Sequence, residues 1–357
     1  MFWSKDSIVE KIGKVPETLS DISEEIFGGI SVENDCLHRV SLSGKQAPEA
    51  PYVCRGLYRE INIEQSLMYP YIDSAFSNEY AVHPSRYGFM LPYEIAGEGL
   101  KKGCRVIQPG EMKDKYPLAY SRISEFRELF HHAYSPLESP DYYGLHGRKM
   151  LEYVGTPKLV VTDSFRLQAC FDASGKHIFE EGCGIVLKDP SRYHYVLAAL
   201  NSSVARTLPA ICKQENPNFG LTTPAALKRF PIAFPEDELI ESLVSTISRY
   251  LIYIHGQVYS AGPSESTRNL LAFYSRVLNL LILDTYLTKD LDPRFLEILA
   301  ENITPLPESQ EFENGPETMN TLRANKQNIL ENPDFGKCRF TAEFTNILAT
   351  LKNNGVW

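Results

Sequence analysis

Residues 236–255 carry Leu239, Ile240, Leu243, Val244, Ile247, Leu251 and Ile254 at helical spacing, and no other feature of the chain constrains the fold so tightly. Apolar side chains recurring every three to four residues line one face of an α-helix, and a stripe of this length has to be covered. Either the second densely apolar stretch, 268–288, or a partner chain is expected to cover it. Glu236, Asp237 and Glu238 precede the stripe, where negative charge favours a helix N-terminus. Further helices are expected at about 293–303 and near 341–352, with a loop over 304–318, where Pro, Glu, Asn and Gly gather. The segment Pro231-Ile232-Ala233-Phe234-Pro235 marks a change of character. It divides the chain into a mixed α/β part, 1–235, and a helical part, 236–357.

The first part reads as a succession of short elements. Ile8, Ile12 and Val15 fall on one helical face within 4–27, interrupted by Pro16, and Phe27-Gly28-Gly29-Ile30 reads as a strand entry. Residues 45–120 are rich in Pro, Tyr and Gly, which predicts short strands and long loops, with Tyr87–Tyr93 the clearest strand. An amphipathic helix is expected over 120–134, from Ile123, Phe126, Leu129 and Phe130. Strands are expected at Lys158–Thr162 and at 166–171 and 176–187, around a turn at Asp172-Ala173-Ser174-Gly175. Asp189-Pro190 opens a helix whose buried face is Val196, Leu197, Leu200 and Val204. The strands of 157–187 are expected to form a sheet on that helix. The fold class expected is α+β, with small twisted sheets followed by helices.

A chain of 357 residues with 43% hydrophobic and 23% charged residues can bury a large core in two domains, or in one domain with an appendage. The seven cysteines are scattered, odd in number and never at CxxC spacing, which argues against a disulfide framework or zinc ribbon and for a reducing cytoplasm. No uninterrupted apolar run approaches the ~18–20 residues of a membrane span. Residues 1–14 have no signal-peptide core, so a cytoplasmic location without membrane contact is expected. The net charge of −9 is unlike that of a generic nucleic-acid binder, but it is unevenly spread. Residues 1–100 balance at −7, 101–231 at +5 with five of the eight histidines, and 232–357 at −7.

Most catalytic signatures are absent. Asn216-Pro217-Asn218-Phe219 and Asn332-Pro333-Asp334-Phe335 approach the loop with which amino-methyltransferases hold a flipped base. Both lack its second proline and a preceding β-branched strand, and both read better as turns. His131-His132 point about 100° apart on a helix and rarely share an ion, and His146, His177 and His194 have no partner at metal spacing. No GxSxG, HExxH, P-loop or nuclease core is present. The stretch Ser139–Lys158 is the most suggestive of nucleic acid. It interleaves Tyr142, Tyr143, His146, Arg148, Lys149, Tyr153 and Lys158 with Gly144, Gly147 and Gly155, although a structural loop with solvated cations has the same composition.

Seven segments in order resemble the C-terminal specificity domain of TaqI-type adenine-N6 DNA methyltransferases. They are Phe27–Ile30, Phe89–Tyr93, Tyr116–Tyr120, Gly155–Val161, Phe171–Lys176, Leu197–Ser202 and Leu227–Ile232. The Ala-Leu-Asn-Ser helix followed by a Pro-Ile strand and a long helix is also similar to specificity subunits of type I restriction systems. The resemblance covers roughly residues 20–235. It implies a module that reads a short duplex site through the major groove and positions an adenine for a methyltransferase domain in cis or in trans. The methyltransferase domain itself is missing from the chain, so AdoMet is expected in that partner, and no cofactor, metal or catalytic residue is assigned here. Tyr142, Tyr143, His146, Arg148, Lys149, Lys158, Arg166 and Lys176 are the candidate DNA contacts, chosen from local chemistry. Two rivals stay open. One is an autonomous nuclease or methyltransferase; the other is a protein-interaction subunit that does not touch DNA.

Overall fold

The computed structural model describes residues 5–31, 38–42, 52–56, 59–127, 143–145, 148–163, 167–206, 223–288, 291–306, 316–338 and the single positions 345 and 349. It is an α+β structure built around one four-stranded antiparallel sheet in the order β1-β11-β9-β10, from Ser23–Gly28 (β1), Lys158–Asp163 (β9), Gln168–Asp172 (β10) and Cys183–Leu187 (β11). A second antiparallel sheet has the order β4-β3-β2-β6-β5. Its strands are Arg39–Leu42 (β2), Tyr52–Gly56 (β3), Arg59–Ile63 (β4), Met68–Pro70 (β5) and Tyr87–Met90 (β6). Tyr93–Ala96 (β7) and Gly103–Val106 (β8) form a separate pair.

The central sheet is a wall between two hydrophobic cores. Successive strand side chains point to opposite faces. On β9, Leu159 and Val161 enter one core while Val160 enters the other; on β11, Ile185 and Leu187 face one way and Val186 the other. Both faces are covered, so these strands read as continuous apolar runs. The first core lies between this sheet and the helices. The second joins it to the five-stranded sheet, the β7–β8 pair and the 148–154 turn.

The helix Tyr193–Asn201 is buried along its whole length, not on one face, because the sheet lies on one side and the later helices on the other. Asn201 completes the unpaired edge of β10: its Oδ1 accepts from Ala169 N at 2.9 Å and its Nδ2 donates to Ala169 O at 2.8 Å. Tyr80 bridges the same edge, donating from its N to Ala169 O at 2.8 Å and accepting from Phe171 N at 3.1 Å, with φ at 61°.

The apolar stripe is packed internally. Helix Glu238–Ala261, capped by Asp237 Oδ1 on Leu239 N at 2.9 Å, lies against Glu265–Leu283 and Tyr193–Asn201. Ile240, Leu243, Val244, Ile247, Leu251 and Ile254 are buried, whereas Leu239 is exposed. Of the two covers expected for the stripe, the structure has the 265–283 helix, and residues on either side of 235 contribute to one core, with the change to an all-helical chain occurring there. The Glu265–Thr288 helix is long and apolar enough to cross a membrane, but 61% of that window is buried in the fold.

Other boundaries also move. The first helix is Lys5–Gly13. After it, Thr18 and Asp21 form a reciprocal cap (Thr18 N to Asp21 Oδ2, 2.8 Å) on a single turn, and Phe27-Gly28 closes β1 instead of opening a strand. The 87–93 run breaks after Met90, since Pro92 has no N–H to give a ladder. Of the expected 120–134 helix, the described part is Pro117–Glu125, its N-terminus held by the Glu64 carboxylate, which accepts from Leu118 N at 2.8 Å and Ala119 N at 3.0 Å; residues 128–134 lie outside the described residues. Of 176–187, only 183–187 is strand. A helix at Pro316–Glu331 replaces the end of the expected loop; Met319, Leu322 and Ile329 are its buried apolar residues. The Asn332–Phe335 segment is a turn. Of the expected helix near 341–352 only positions 345 and 349 are described, both helical, and the Asn216–Phe219 segment lies outside the described residues.

Candidate functional site

Where the two sheets meet the C-terminal half of the Glu238–Ala261 helix, they leave a cleft of about 750 Å³. β5 contributes Tyr69, the residue just after it is Tyr71, and β6 contributes Tyr87. The 171–177 turn contributes Phe171, Asp172 and His177, and the helix contributes Tyr253 and Gly256. Five tyrosine and phenylalanine rings line it among aliphatic and small residues, and two clusters of polar groups lie in or beside it.

The first is a buried network under the turn. Lys158 and Asp172 are paired residues of β9 and β10, and Lys158 Nζ lies 2.9 Å from Asp172 Oδ2, with both side chains almost fully buried. The ammonium also donates to Gly175 O. Gly175 has φ 66°, and a Cβ there would overlap the Thr156 backbone, so the turn requires glycine. Asp172 further accepts from Ser174 Oγ at 2.8 Å, from His177 N at 3.0 Å and from His177 Nδ1 at 2.8 Å. Burial pushes the Asp172 carboxyl up, but the His177 hydrogen bond and the Lys158 charge outweigh it and hold the group well below the usual carboxylate range. An ionised Asp172 fixes the Nδ1–H of His177, which leaves Nε2 as the acceptor of a neutral ring, and His177 is one of the residues that line the cleft. The residue types of a Ser-His-Asp set are present, yet Ser174 donates to Asp172 and not to His177, so the imidazole does not activate that hydroxyl.

The second is a cationic ledge. Arg39 and Tyr87 are diagonal neighbours across β2 and β6, and the Arg39 guanidinium lies 5.4 Å from the Tyr87 ring centre. The Arg86 guanidinium lies 5.1 Å from the same ring. Arg39 is anchored to Tyr71 Oη at 3.3 Å and to Glu180 at 3.5 Å. Arg86 is exposed and makes no ion pair among the described residues. Nearby, His83 stacks on Phe76 and meets Tyr259, and the Tyr259 hydroxyl holds both backbone groups of Glu79, at 3.0 and 3.1 Å, which ties the 76–83 segment to the long helix.

Of the residues singled out in the sequence, Lys176 is exposed on the turn that borders this cleft. Lys149 is half-exposed and paired with Glu25. Two require correction. Lys158 is sealed in the Asp172 pair, and Tyr143 is buried with its hydroxyl donating to Ile107 O, so both are internal structural groups that reach no phosphate. The Arg148 backbone lies in a short 3-10 turn, 148–153, but its side chain is outside what is described; Tyr142, His146 and Arg166 lie outside the described residues altogether. Sequence reasoning missed Arg39, Arg86, Tyr87 and the role of His177. Among the described residues no three His, Cys, Asp or Glu side chains gather as metal ligands. No protein-family model matches the chain, and no curated protein matches it.

Proposed function

We propose that this chain is a DNA target-recognition module serving an adenine-N6 DNA methyltransferase or restriction–modification system. Methyl transfer and AdoMet belong to a methyltransferase domain in cis or in trans. The carrying observation is spatial: four of the seven segments that resemble TaqI-type specificity domains lie on the central sheet, on its 171–177 turn or on the helix packed against it. Phe27–Ile30 ends β1, Gly155–Val161 enters β9, Phe171–Lys176 forms the turn under His177, and Leu197–Ser202 is the helix whose Asn201 completes the β10 edge.

The chemistry of the cleft supports the reading. Two guanidinium groups close to the Tyr87 ring, with Lys176 on the adjoining turn, give cations for phosphate oxygens beside aromatic surface for sugar and base edges. The total charge of −9 does not oppose this, because DNA at close range responds to charges within about 8–10 Å at physiological salt. A fluorescence-anisotropy titration with short random duplexes across a salt series, with and without the methyltransferase domain, tests the proposal. Binding should weaken steeply as salt rises. Absence of binding in both arrangements overturns the reading.

A further inference from the structure

We infer that His177 is a base-reading residue: its Nε2 accepts a hydrogen bond from the exocyclic amine of adenine or cytosine at one position of the target. This rests on the DNA-recognition reading above. It starts from the wiring of the turn. Asp172 is buried, ionised and already satisfied by Lys158, Ser174 and the His177 backbone N–H. Its further bond to His177 Nδ1 helps hold the carboxylate in its charged form and also determines the imidazole. With Nδ1 as donor, the neutral ring presents Nε2 as an acceptor only. His177 lines the cleft at about a quarter exposure, and Nε2 has no partner among the described residues. A lone pair fixed in direction by a buried carboxylate, in a cleft flanked by exposed cations, is suited to one N–H donor on a ligand.

In the major groove that donor identifies the base. Adenine N6 and cytosine N4 donate there, whereas guanine N7 and O6 and thymine O4 only accept and would face the Nε2 lone pair. Asp172 is then a positioning residue that acts through His177, and Lys158 holds Asp172 in its charged form.

Two measurements test this. The first is selection from a randomised duplex pool with the wild-type chain and with His177→Phe, which keeps the ring and removes Nε2 while leaving the Lys158–Asp172 pair in place. Wild type should select adenine or cytosine at one position. The variant should lose about tenfold of that preference, with the other positions and the salt dependence of binding unchanged. An unchanged site, or a uniform loss across all sequences, overturns the inference and leaves DNA recognition standing. No duplex binding by wild type overturns both. The second does not depend on the variant folding: long-range ¹⁵N–¹H correlation on the wild-type chain at neutral pH should show the His177 ring protonated on Nδ1 only. A ring protonated on Nε2, alone or together with Nδ1, overturns the inference.

Discussion

Lys158 and Asp172 face each other across neighbouring antiparallel strands, and their charged atoms meet at 2.9 Å with almost no solvent access. Breaking a buried ion pair by removing one member leaves the other uncompensated, which costs about 3–5 kcal/mol. Lys158→Ala should lower the unfolding free energy by that amount in urea titrations. At matched folded fractions it should leave the salt dependence of DNA binding unaltered. A stable Lys158→Ala protein with a shallower salt dependence would return Lys158 to the DNA surface.

The two-core arrangement predicts that neighbouring residues on β9 are both costly to truncate. Leu159 faces the helices and Val160 faces the second core, and both are fully buried. Leu159→Ala should cost about 2–5 kcal/mol and Val160→Ala on the order of 2 kcal/mol. A sheet with one solvated face would make one of the two nearly neutral. Leu200→Ala, in the enclosed helix, belongs with the first at about 2–5 kcal/mol. Chemical denaturation of the three variants checks the set.

The parts of this fold that were legible in the sequence are those set by apolar period. Leu243, Ile247, Leu251 and Ile254 gave the long helix, and Val196, Leu197 and Leu200 gave the enclosed one. Val160, Leu167 and Ile185 are buried as expected, but Val160 faces away from that helix, because a second core covers the far side of the sheet. The site was less legible for the same reason. A lysine at the start of a strand and an aspartate in an Asp-Ala-Ser-Gly turn each read as surface residues, and only their pairing at a separation of 14 makes them internal. Arg39 and Tyr87 come from strands far apart in sequence, so no local spacing announces their contact.

Acid should destabilise the protein over a defined window. Burial lowers the pKa of His38, His194 and His255 from the ordinary 6.5 to about 4. Between those values the unfolded chain binds protons that the folded chain does not, so stability falls as pH drops from about 6.5 towards 4. With all three groups contributing, the slope in mid-window approaches about 4 kcal/mol per pH unit. Asp172, held below the usual carboxylate range, adds a loss of the same sign at lower pH. Urea unfolding at a series of pH values measures the slope, and His255→Phe should reduce it by about a third. A flat profile from pH 7 to 5 would contradict the buried, neutral state of these rings.

Arg86 and Lys176 are exposed beside the cleft, while Lys149 is tied to Glu25 by a half-exposed ion pair of the kind worth about 0–1 kcal/mol. Arg86→Ala and Lys176→Ala should each weaken binding evenly across duplex sequences and reduce the slope of log affinity against log salt by about 1. Lys149→Ala should give a smaller change, because its charge is already partly compensated. Anisotropy titrations at several salt concentrations separate the three.

The most direct test of the account is where DNA touches the protein. A photo-reactive benzoylphenylalanine at Tyr87, close to the Arg39 and Arg86 guanidinium groups, probes the cleft. The same probe at Leu330, in the separate hollow between the Glu265–Leu283 and Pro316–Glu331 helices, serves as the comparison. Irradiation with a labelled duplex at low salt should cross-link the Tyr87 probe efficiently and the Leu330 probe little, with the first signal competed by unlabelled duplex. Cross-linking that is absent at Tyr87, or equal at the two positions, would contradict DNA recognition through this cleft.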